Sequence, residues 1–140
     1  MSKAFRPVHR SFAGSYSGIS VVRHGGFKES CNCNREDLRD IHINVVAAES
    51  EKDDETKYVI VEFSPRWEKK FDLDDSDYNA MLQTVKGQIE GKWVKSEGYM
   101  LYDYFHANAS ESLRPGKAGN WRATPWEVHP VTTYTVVPQP

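Results

Sequence analysis

The sequence predicts an all-β domain, a five-stranded OB-like Greek-key barrel with one α-helix between strands 3 and 4. Three observations carry that expectation. Five segments have the period-2 alternation or the β-branched and aromatic content of strands. One segment has a clear helical period, and it falls between the third strand and the fourth. Two long polar loops, 24–39 and 107–123, separate strand 1 from strand 2 and strand 4 from strand 5. Those are the places where OB barrels receive oligonucleotides or oligosaccharides.

Each element has a local reason. Ser15 to Arg23 alternates around Tyr16, Ile19 and Val21, and Gly25-Gly26 ends it. From Asp40 to Ala48, Ile41, Ile43 and Val45 alternate with His42 and Asn44. The acid-rich stretch Glu49 to Lys57 reads as a solvated hairpin tip. Tyr58 to Phe63 forms the third strand and Pro65 stops it. Ile41, Ile43, Val45, Val59, Val61 and Phe63 are expected to face inward. Tyr78, Met81, Leu82, Val85 and Ile89 share one face of a helix from about Ser76 to Glu90. Asp74, Asp75, Ser76 and Asp77 favour its N-terminus, and Gly91 its stop. Lys92 to Asp103 and Thr124 to Val137 complete the set.

The chain has 140 residues, 39% hydrophobic and 27% charged, with a formal net charge of -2. That size fits one domain with a real core. Residues 1–13 lack a period and read as an N-terminal arm, with residues 14–140 as the single barrel domain. The charge gives no global attraction to nucleic acid, so such binding requires a local patch. No long apolar run is present, and the expectation is no membrane span and no signal peptide. Cys31 and Cys33 are too close to form an unstrained mutual disulfide, which fits a cytoplasmic setting.

Six polar residues stand out among apolar neighbours: His42, Glu62, Asp103, His106, Glu127 and His129. Glu127 and His129 are two apart and share one face of strand 5. With strand 1 between strands 2 and 4, and strand 5 returning towards strand 1, such groups converge. Imidazole and carboxylate form the usual acid–base pair and also suit zinc and other divalent ions. His42, Asp103, His106, Glu127 and His129 are therefore the catalytic candidates. The same groups equally suit a buried hydrogen-bonded network that ties loop 107–123 to the barrel. Zinc is the one cofactor the residue types suggest. Its candidate ligands are Cys31, Cys33, His42 and His129, although the cysteines also fit a buried loop anchor. Gly25-Gly26 has no Lys-Ser/Thr after it and is no phosphate loop.

A third set is basic and aromatic: Arg66, Trp67, Lys92, Trp93, Arg114, Lys117, Trp121 and Arg122. Cations follow phosphates and aromatic faces stack bases. On an OB scaffold this set makes single-stranded nucleic acid the first ligand to consider, with a protein partner as another. The opposing expectation is a solvated face with tryptophans closing the barrel ends.

Several pieces of the chain act together as a signature. They are Glu29-Ser30-Cys31-Asn32-Cys33, Arg39-Asp40-Ile41-His42-Ile43, Val61-Glu62-Phe63-Ser64-Pro65-Arg66, Gly98-Tyr99-Met100-Leu101-Tyr102-Asp103 with His106, and Trp121-Arg122-Ala123-Thr124 with Trp126-Glu127-Val128-His129-Pro130-Val131. On these, residues 14–137 resemble a family of small bacterial β-rich proteins. The resemblance implies a shared small β-rich domain and brings no substrate and no mechanism. Two functions stay open at this point. One is a non-enzymatic binding domain using loops 24–39 and 107–123. The other is a metal-dependent hydrolase or metal-binding protein built on the His/Asp/Glu set.

Overall fold

The computed structural model describes residues 12–22, 33–35, 38–64, 67 and 78–140. Most of loop 24–39, with Cys31, and also Arg66 and the expected helix start at 76–77 lie outside the described residues. The described elements are β1 (Phe12–Val22), β2 (Ile41–Val46), β3 (Val59–Phe63), α1 (Tyr78–Ile89), β4 (Trp93–Tyr102) and β5 (Trp126–Val136). The strands close into a barrel in the order β1-β2-β3-β5-β4, as an OB-like all-β barrel requires.

One topological expectation is corrected. β5 does not pair back to β1; it runs antiparallel to β4 and parallel to β3. β4 is already the partner of β1 through eight registered pairs, from Phe12↔Met100 to Ile19↔Trp93. The free side of β3 is therefore the edge left for β5 to close. Gly98 makes this possible, because the β4–β5 register shifts around it. A Cβ at Gly98 would collide with the Pro130 carbonyl.

The alternation in β2 places Ile41, Ile43 and Val45 in the barrel interior with Val61, Phe63, Val128 and Val131. Val59 is only half-buried. Met81, Val85 and Ile89 recur every fourth residue on α1 and pack against the same core. Each such side chain contributes on the order of 1.5–3 kcal/mol by leaving water. Gly91, at a φ of 71°, ends the helix in the left-handed region.

Opposite parity puts a second set of residues on the outer side of the barrel. Ile19, Val46, Tyr58 and Ile60 form a separate buried cluster, with Val21, Trp93 and Trp121 packed on it. The stretch 49–57, expected as a solvated hairpin tip, joins the antiparallel β2 and β3 without a buried residue and forms two short 3-10 turns, Glu49–Glu51 and Glu55–Lys57. They fold back so that the Tyr58 hydroxyl donates to the Lys52 carbonyl at 2.6 Å. No helix among the described residues is long and apolar enough to cross a membrane.

Candidate functional site

Strand register alone gathers the first polar groups. His42 and Glu62 are direct cross-strand partners on β2 and β3. Glu127 pairs with Ile60 across the parallel β3–β5 junction, so His129, two residues on, falls beside Glu62. All four point outward, because their neighbours Ile41, Val61 and Val128 point into the core. Outward here does not mean solvated. The loop between β4 and β5 lies over this face and buries it.

That loop is held by its own hydrogen bonds. Asp103 N–H donates to the Pro125 carbonyl at 2.9 Å, and Ala123 N–H to the Tyr58 carbonyl at 2.7 Å. Trp121 N–H donates to Ala109 and Glu111 N–H to Arg122. The Glu111 carboxylate accepts from Gly116 N–H and from Asn120 Nδ2, each at 2.7 Å. These bonds give the long connection a defined shape and aim Arg122 inward.

Arg122 is 1% exposed. Its Nη1 meets Asp103 Oδ2 at 2.6 Å, its Nη2 meets Glu127 Oε2 at 2.8 Å, and its Nε donates to the Thr124 carbonyl at 2.9 Å. Its guanidinium also lies 5.1 Å from the centre of the Trp121 ring. Asp103 holds His106 as well, with Nδ1 at 2.7 Å, and His106 meets Trp121 edge to face.

On the other side of Glu127 stands His129. Its Nδ1 is 2.9 Å from Glu62 Oε2 and 3.3 Å from Glu127 Oε1, and its Nε2 is 3.2 Å from Asp40 Oδ2. Glu62 continues to His42 Nε2 at 3.1 Å. Asp40 is fully buried, and Glu62 and Glu127 nearly so. Burial pushes the His129 imidazolium down, but hydrogen bonds to Asp40, Glu127 and Glu62 outweigh it and raise its pKa far above the ordinary value of 6.5. For Asp103, burial pushes upward, while the His106 hydrogen bond and charge and the Arg122 guanidinium pull harder, so its pKa is lowered.

The network forms the floor of a cleft of about 450 Å3, flanked by Tyr102, Tyr104, Phe105 and Trp121. Tyr104 and Phe105 are 79% and 86% exposed. Asp40, Glu62 and His129 could hold a metal ion, since one ligand atom from each lies within 4.8 Å of the others.

The structure thus brings His42, Glu127 and His129 together with Glu62, and attaches Asp103 and His106 through Arg122. Sequence reasoning missed Asp40. Its signal was parity, because it precedes His42 by two residues at the mouth of β2. It also gave Arg122 to a ligand face; the structure buries it between two carboxylates, where it lines the cleft. The remaining basic and aromatic set is dispersed in its roles. Lys92 Nζ caps the α1 C-terminus through the Gln88 carbonyl at 2.6 Å. Trp93 and Trp121 pack on the outer apolar cluster, and Trp67 is half-buried. Arg114 donates to the Asn108 carbonyl, and it and Lys117 are exposed on the loop. Arg66 lies outside the described residues. Of the expected zinc ligands, Cys33 is exposed and does not belong to the group that could hold an ion, and Cys31 lies outside the described residues.

No family model matches the chain, and neither a curated protein nor a solved structure matches it.

Proposed function

We propose that this chain is a non-enzymatic binding domain that receives its ligand in the cleft under the β4–β5 loop. One observation carries the reading: two aromatic side chains, Tyr104 and Phe105, stand exposed at a cleft whose floor is already fixed by ion pairs. A preformed floor lowers the ordering cost of binding, and exposed rings supply stacking area. The polar groups of the floor are engaged with one another, which suits recognition.

The chemistry of the cleft favours one class of ligand. Carboxylates of Glu62, Glu127 and Asp103 accept hydrogen bonds, and the rim presents flat apolar faces. A ligand with planar rings and N–H donors fits both. Single-stranded nucleic acid offers these through its bases, with exocyclic amines towards the acids and ring faces on Tyr104 and Phe105. Its phosphates then belong outside the acidic floor, where Arg114 and Lys117 stand exposed on the same loop.

Intrinsic tryptophan fluorescence, titrated with short single-stranded oligonucleotides at low salt, tests this. The expected result is a saturable change that weakens steeply as salt rises. Replacing Tyr104 and Phe105 by serine should cost about 1–3 kcal/mol of binding for each stack lost. Absence of any response at tens of micromolar rules out nucleic acid and moves the search to neutral ring-bearing ligands such as oligosaccharides.

A further inference from the structure

We infer that the floor of this cleft is a divalent transition-metal site, with Asp40, Glu62 and His129 as its protein ligands and an open coordination position facing the cleft. The inference deepens the binding reading, because it gives the same cleft an ion.

The donor set is the first reason. Two buried carboxylates and one imidazole come from the mouth of β2, from β3 and from β5, and their ligand atoms lie within 4.8 Å of one another. One nitrogen and two oxygens suit zinc, manganese and iron(II) better than calcium, which takes oxygen alone. All three side chains are set by strands or a strand end, so the site is rigid before an ion arrives.

The second reason is the support around His129. Its Nε2 faces Asp40 at 3.2 Å and its Nδ1 faces Glu62 at 2.9 Å, with Glu127 Oε1 also on the Nδ1 side at 3.3 Å. Glu127 is itself pinned by Arg122 at 2.8 Å. These carboxylates fix the ring between the two proposed acid ligands, and an ion that takes one ring nitrogen displaces the proton held there.

Access is the third. Glu62 and His129 line the cleft while Asp40 lies fully buried behind them. An ion held by the three therefore keeps a side open to the cleft. Three protein ligands and one free position are the arrangement that lets a bound metal meet a second molecule.

Elemental analysis decides the matter. The full chain is stripped with chelator, equilibrated separately with Zn2+ and Mn2+, dialysed and assayed for metal. The expected result is about one equivalent retained, with a melting temperature that rises on adding the ion and falls on adding chelator. Asp40→Asn and Glu62→Gln should weaken binding by at least about 100-fold, and Glu127→Gln by about 10–100-fold. Replacing Cys31 and Cys33 together by serine should change nothing. Wild-type protein that retains no ion and melts identically with metal and with chelator overturns the proposal, and this arm needs no variant to fold. Retention that survives Asp40→Asn and Glu62→Gln, or that is lost with the cysteines, overturns it as well. Oligonucleotide titration in chelator keeps the two readings separate, since the cleft can bind bases with no ion beneath it.

Discussion

Arg122 and Glu127 stand five residues apart in the chain and meet at 2.8 Å with both side chains withdrawn from water. Between them the chain turns out of the β4–β5 loop and enters β5. The pair therefore fastens the end of the loop to the first residues of the strand that closes the barrel. Arg122→Met should leave the Asp103 and Glu127 carboxylates without their shared guanidinium, at a cost of about 3–5 kcal/mol. Arg122→Lys should recover only part of this, because an ammonium cannot reach both acids in the fork geometry. Urea denaturation of the three proteins checks it, and equal midpoints would show that the ion pairs add nothing.

Trp121 covers apolar surface of Ile19, Val46, Tyr58 and Ile60, and is only half-buried there. Trp121→Ala should cost about 2 kcal/mol, less than the 3–5 kcal/mol of a fully buried aromatic. A thermal melt reads it directly. An unchanged melting temperature would mean that the ring is free for a ligand.

Gly98 faces the Pro130 carbonyl and the Val128 side chain where the β4–β5 register shifts. Gly98→Ala should destabilise by about 1–3 kcal/mol, as overpacking against backbone does. Gly87, on the exposed side of α1 with no neighbouring atom near an added Cβ, should instead gain up to about 1 kcal/mol as alanine. Denaturation midpoints that shift in opposite directions would bear out both.

Asp103 has a lowered pKa, so its stabilising contribution is present above the ordinary value of 3.8 and is lost as pH falls through its folded value. The folded domain should hold its stability through mildly acidic solution and lose it on the acid side of that value. Asp103→Asn should lower stability near neutral pH and narrow its gap to wild type as the solution is acidified. A series of urea midpoints between about pH 3 and 7 tests the sign. A gap that widens on acidification would contradict it.

The fold was legible because its signals are local. Ile41, Ile43 and Val45 alternate whatever surrounds them, and Met81, Val85 and Ile89 mark one helix face without help from distant residues. Strand bounds moved by at most three residues. The site was legible in part for the same reason: Glu127 and His129 share a face by parity. The closure was not. That β5 meets β3 depends on β1 having already taken β4, a contest between strands far apart in sequence. The ion pairs of Arg122 were not legible, because a basic residue next to a tryptophan looks the same whether it points to solvent or to two buried acids. The deciding factor is the path of a loop set by backbone bonds such as Ala123 N–H to Tyr58, which leave no pattern in composition.

The parallel junction of β3 and β5 rests on the register pairs Ile60↔Glu127 and Val61↔Val128. It is the shortest seam in the cylinder, and its outer surface carries Glu62, Glu127 and His129. The groups that would greet a ligand are thus also the clasp of the barrel. Whatever draws them together tightens the ring, and whatever pries them apart loosens it. Occupancy of the cleft would then be written into the breathing of the whole domain, readable as slowed hydrogen–deuterium exchange along β3 and β5.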